Sequence, residues 1–118
     1  MNNSEKRTPA ILIVEDLDWI RFSMKKEVER QGYDVLEARD DLEALAAAQR
    51  QPIVLILTEE KLPTFNALMD RRRENLALGN APMAIINPDV EEGTRYGDAY
   101  YLSDYADIRN FLVSQSRP

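Results

Sequence analysis

Three short apolar runs constrain this chain more than anything else in it: Ile11-Leu12-Ile13-Val14, Ile53-Val54-Leu55-Ile56-Leu57 and Met83-Ala84-Ile85-Ile86. None alternates with polar residues. Each therefore reads as a strand buried on both faces, as in a parallel sheet covered by helices on either side. The segments between the runs supply those helices. Asp16 or Asp18 caps a helix reaching about residue 31, with Ile20, Met24 and Val28 as its inner stripe and Gly32 just past its end. Residues 33–38 are mixed in polarity and read as an edge strand. Asp40 or Asp41 caps an Ala-rich helix over 42–50, and Asn66 opens a third helix to about residue 78, ended by Gly79-Asn80. The stretch 87–97 contains Pro88, Gly93 and Gly97, which leaves room only for a short or irregular fourth helix. Tyr100-Tyr101-Leu102 reads as the fifth strand and 106–115 as the last helix, with Ile108, Phe111 and Leu112 turned inward. Strands alternating with helices give an α/β chain of five βα units, a three-layer sandwich around a parallel five-stranded sheet. At 118 residues one domain is expected, over 9–118, after a flexible leader of residues 1–8.

Composition then removes whole classes of chemistry. With no Cys and no His, the chain has no disulfides, no thiol nucleophile, no histidine base and no zinc site built on those residues. A net charge of −6 argues against a basic face for nucleic acid or anionic lipid. The one basic triplet, Arg71-Arg72-Arg73, reads as a solvated helix face. No apolar run approaches membrane-spanning length, and Met1-Asn2-Asn3-Ser4-Glu5-Lys6-Arg7 lacks the apolar core of a secretory signal, so a cytoplasmic chain is expected. Carboxylates are left to carry the chemistry. Open α/β sheets bind ligands beyond the carboxyl ends of their strands. Glu15 and Asp16 follow the first strand there, and Glu59 follows the third. Three such acids suit a hard divalent cation such as Mg²⁺; the alternative is a set of solvated loop acids. Trp19, early on the first helix, stands either as a roof over this pocket or as partly exposed packing. Nothing else marks a substrate pocket, so an enzyme is not expected.

Ile11-Leu12-Ile13-Val14-Glu15-Asp16, Arg21, Gly32-Tyr33-Asp34-Val35 and Ala38-Arg39-Asp40-Asp41-Leu42-Glu43-Ala44-Leu45 resemble the receiver domain of bacterial response regulators (CheY-like), as does Leu55-Ile56-Leu57-Thr58-Glu59-Glu60-Lys61-Leu62-Pro63. The resemblance runs from Pro9 to about Arg117 and is strongest in the first 63 residues. It implies a flavodoxin-like sheet of order 2-1-3-4-5. It also implies a two-component phosphorelay switch, in which a histidine kinase or phosphotransfer protein donates phosphoryl to an Asp after the third strand, with Mg²⁺ on Glu15, Asp16 and Glu59.

The chain departs from the family at the site itself. Counting back from Pro63, the phosphoacceptor position holds Glu59; counting forward from Pro52, it holds Thr58. Neither is Asp, and a Glu carboxylate reaches one methylene further than transfer geometry tolerates well. The family's hydroxyl-bearing switch position corresponds to Asn87, its Lys to Asp104, the following Pro to Tyr105, a loop Gly to Ala67 and its switch aromatic to Tyr101. The leading expectation is a single-domain, receiver-like signalling protein acting as a phosphorylation-independent interaction module. The alternatives are a working phosphoacceptor receiver that uses Glu59 and a divalent-cation-responsive binding module. Expected partners are a histidine kinase, a phosphotransfer protein or a downstream effector, with a homodimer through the strand 4–helix 4–strand 5–helix 5 face; neither nucleic acid nor membrane is expected.

Overall fold

The computed structural model describes residues 9–87 and 99–115. Its elements are β1 (Ala10–Val14), α1 (Asp18–Arg30), β2 (Asp34–Ala38), α2 (Asp41–Ala48), β3 (Ile53–Glu59), α3 (Phe65–Glu74), α4 (Leu76–Gly79), β4 (Met83–Ile86), β5 (Tyr100–Leu102) and α5 (Asp107–Gln115). All five strands are parallel, in the order β2-β1-β3-β4-β5, the flavodoxin-like arrangement. β2 lies at an edge, as its mixed polarity predicts.

Strand pleating sorts the apolar runs into two cores, because successive side chains leave a strand on opposite faces. Leu12, Val14, Ile56, Met83 and Ile85 pack under α2, α3 and α4 with Ala44, Ala47, Leu68 and Leu78. Ile11, Ile13, Leu55, Leu57, Ala84 and Ile86 pack on the other side with Met24 and Val28 of α1 and Ile108 and Leu112 of α5. Every residue of β1 is buried. The uninterrupted apolar character of these runs is thus spent on two cores at once.

Several element ends differ from expectation, each for a local reason. The N-cap of α1 is Leu17, which has no side-chain cap; neither Asp16 nor Asp18 caps it, and Asp18 is already helical. Asp40 caps α2 by accepting from the Glu43 N–H at 2.9 Å, and Glu43 accepts from the Arg39 N–H in return. The expected third helix is two helices. Asn75 takes an extended conformation (φ −122°, ψ 120°) that ends α3, and its side chain accepts from the Leu78 N–H to start α4. α4 is therefore distinct from the fourth helix expected after β4, which lies outside the described residues, as does the leader. β3 runs two residues beyond its apolar core, so Glu59 is its last residue.

The short α4 folds back closely on α3. A Cβ at Gly79 would stand 2.6 Å from the main-chain oxygen of Arg72. Gly79→Ala is expected to destabilise the domain by about 1–3 kcal/mol through this overpacking, read as a lower urea midpoint with an unchanged slope.

Candidate functional site

The register of the two central strands builds the site. Val14 of β1 pairs with Thr58 of β3, so Glu15 and Glu59 emerge together at neighbouring strand ends. Thr58 is fully buried, and its hydroxyl donates to the Val14 carbonyl at 2.8 Å. Its side chain is spent in tying β3 to β1, while Glu59 stands half-buried at the strand end. The loop after β1 is clamped from the other side. Arg21 Nη1 donates to the Glu15 carbonyl at 2.8 Å, and the rest of its guanidinium bonds Asp18 and Glu37.

Glu15 is a fully buried carboxyl. Its Oε2 accepts from the Leu17 N–H at 3.0 Å, and its Oε1 is buried without a hydrogen-bond partner. The side chain lies within hydrogen-bonding reach of Glu59 and of Asp16. Burial, reinforced by Glu59, pushes the Glu15 carboxyl up to about 8, against the lowering pull of the Leu17 amide. At neutral pH the folded state thus favours Glu15 in its protonated form. A protonated carboxyl becomes a donor and resolves the facing of two acceptors.

Tyr105, from the turn before α5, completes the cluster. Its hydroxyl donates to Glu59 Oε2 at 2.9 Å. Burial first, then Glu59, with the charges of Glu15 and Asp104 added, holds this phenol well above the ordinary tyrosine range. Tyr105 therefore stays an O–H donor at any physiological pH. Asn87 is buried; its main-chain N–H donates to Leu102 at 2.8 Å, and its Nδ2 donates to Glu60 Oε1 at 2.6 Å. Asp104 is exposed, and its N–H donates to Asp107 Oδ2 at the start of α5.

Glu15, Asp16, Glu59, Tyr105 and Asp104 are therefore brought to one end of the sheet, with Asn87 linked to it through Glu60. Tyr101 is half-buried and packs against the core under α2 and α3. Trp19 is 72% exposed and stands clear of the cleft, so it does not roof it. The three arginines of α3 are used singly, on Asp41, on the Ala81 carbonyl and on Asp70. Tyr105 and Glu60 are the contributors that site reasoning from the sequence missed. Tyr105 was visible only as a substitution for proline, and nothing in the sequence showed that its hydroxyl spans 46 residues to Glu59.

For a divalent cation, Glu15 and Glu59 present the right oxygen chemistry, and the partnerless Glu15 Oε1 is a ligand atom of that kind. Asp16 stands exposed beside them. Among the described residues, however, no three acids are placed so as to hold a metal ion.

No family model matches the chain. Over 99 residues it is 38% identical to the aerobic respiration control protein ArcA of Escherichia coli K12, an alignment spanning 84% of this chain and 42% of ArcA. The chain thus spans less than half the length of the curated relatives it matches. Among solved structures, the receiver domain of the hybrid histidine kinase CckA superposes with a TM-score of 0.70 at 28% identity, covering 92% of this chain and 99% of that domain. The receiver domain of sensor histidine kinase PA1611 from Pseudomonas aeruginosa PAO1 shares the fold, with a TM-score of 0.74 at 22% identity over 91% and 96% of the two chains. That domain carries a magnesium ion in its active-site cleft.

Two predictions follow from the cluster. Glu15 binds a proton more tightly folded than unfolded, from an ordinary 4.5 up to about 8, so its contribution to stability is full in acid and is lost as pH rises through that window. Asp18, held low by Arg21, contributes with the opposite sign and is lost on acidification. Urea melts from about pH 5.5 to 8.5 should show wild type losing stability while Glu15→Gln, whose amide donates permanently, loses markedly less. Tyr105→Phe should cost about 0.5–1.5 kcal/mol at neutral pH. A double-mutant cycle with Glu59→Ala should assign most of that loss to the pair.

Proposed function

The chain is a CheY-like receiver domain of two-component signalling, atypical at its phosphorylation site, and we propose that it works as a protein-interaction module that needs no phosphoryl group. The observation that carries this reading is the hydrogen bond from Tyr105 to Glu59. The carboxylate at the phosphoacceptor position is already engaged by the β5–α5 turn, so the two are coupled without any added group. Asn87, at the switch position, is bonded to Glu60. Asp104, at the position where a lysine would neutralise a phosphoryl oxygen, adds negative charge in its place.

Binding through the β5–α5 face fits the same picture. Tyr100, 41% exposed, stacks at a tilt on Phe111 with ring centroids 5.0 Å apart, which leaves an aromatic surface next to the turn that holds Glu59. The partners that fit are a histidine kinase, a phosphotransfer protein or an effector, met as binding surfaces. The magnesium carried by the PA1611 domain supports a role for Mg²⁺ as an auxiliary ligand of Glu15, Asp16 and Glu59, on which the interaction role does not depend.

Acetyl phosphate with millimolar Mg²⁺, followed by intact-mass measurement, tests the reading. The expected result is an unchanged mass. Stoichiometric gain of one phosphoryl group, abolished in Glu59→Ala, would instead establish a working receiver with an unusual acceptor.

A further inference from the structure

The acidic cleft has a property that the interaction reading leaves unused. Glu15 is fully buried, yet Oε1 of its carboxyl has no hydrogen-bond partner, and the side chain faces Glu59. Asp16 and Asp104 add further negative charge at the same end of the sheet. Among the described residues, no lysine or arginine bonds either carboxyl. Arg21, the cation nearest in sequence on α1, is committed to Asp18, Glu37 and the Glu15 main-chain carbonyl. The position aligned with the family's lysine is Asp104.

A divalent metal suits this arrangement poorly, since Mg²⁺ demands near-octahedral oxygens and no three acids are assembled for it. An ammonium or guanidinium asks for less. Two carboxyls within hydrogen-bond reach of one another accept a single cationic head, with charge-assisted bonds on both sides. The long alkyl stem of such a side chain needs an apolar path to the surface. Leu17 and Trp19, two and four residues after Glu15, are exposed at this end of α1, and the Tyr105 ring stands at the Glu59 side.

We infer that the cleft receives a lysine or arginine side chain from a partner protein, with Glu15 and Glu59 as its acceptors and Leu17, Trp19 and Tyr105 as the rim along its stem. The partner supplies in trans the positive charge that this chain lacks at Asp104. This inference rests on the interaction-module reading and gives it a recognition chemistry.

Titration of the full chain with acetyl-Leu-Lys-Leu-amide, acetyl-Leu-Arg-Leu-amide and the uncharged acetyl-Leu-Gln-Leu-amide tests it, followed by amide NMR shifts. The cationic peptides should give saturable shifts at residues 15–19, 59 and 105, and should bind about tenfold more tightly than the Gln peptide. In Glu59→Gln and in the near-isosteric Glu15→Gln, whose folding the same spectra report, the preference should vanish. Equal binding of all three peptides would mean apolar contact alone and would overturn the inference. Absence of saturation would mean that a shared proton already closes the pair, and would overturn it equally. Neither outcome touches the acetyl phosphate result, whereas a phosphoryl gain would overturn the underlying reading whatever the peptides do.

Discussion

Two carboxyl groups forced together at the ends of adjacent buried strands set the terms for the rest of this structure. β1 is buried along its whole length between β2 and β3, and its register with β3 is fixed by both cores at once. A one-residue slip would turn every side chain to the wrong face, so the register cannot relax to relieve what happens at the strand ends. What happens there is that Glu15 and Glu59 meet with little water between them. Two close acids do not both ionise cheaply in such a place. The fold answers with a proton held on Glu15, an amide from Leu17 and a hydroxyl from Tyr105, all of them neutral donors.

Neutral donors make this cleft different in kind from one organised by a metal ion or a lysine. A cation attracts charge from any direction and falls silent when it leaves, whereas hydrogen bonds fix particular atoms. Here they tie the end of β3 to the β5–α5 turn through Tyr105, and the residue after β4 to the residue after β3 through Asn87 and Glu60. Three of the five strand ends are thus cross-linked by side chains. Arg21 adds a fourth link by holding the loop after β1 against Glu37 of β2.

The legible part of all this lay in periodicity. Apolar runs without alternation gave away the strands, the parallel sheet and both layers of helix, because burying a strand on two faces leaves no other composition. Glu15, Asp16 and Glu59 could be placed near one another once strand ends were known. The choice between Thr58 and Glu59 could not be made from counting, since loop lengths vary; the Val14–Thr58 pairing decides it by committing the threonine to the ladder. Asn75 reads as an ordinary helix residue, and only its extended backbone reveals that α3 stops there. Tyr105 was the largest omission, because a tertiary hydrogen bond between residues 46 apart leaves no local pattern in a sequence.

The same geometry bears on how such a domain can signal at all. A receiver that depends on phosphoryl transfer needs groups that are idle until the phosphoryl group arrives, so that its arrival supplies differential binding energy to one of two states. In this chain the corresponding groups are engaged beforehand: Glu59 by Tyr105, Asn87 by Glu60, and the lysine position by an acid. A ligand that leaves those bonds alone shifts no equilibrium, however tightly it binds. The contact that can move the structure is one that competes for Glu15 or Glu59. In a chain of net charge −6 without histidine, that competitor must bring positive charge from outside.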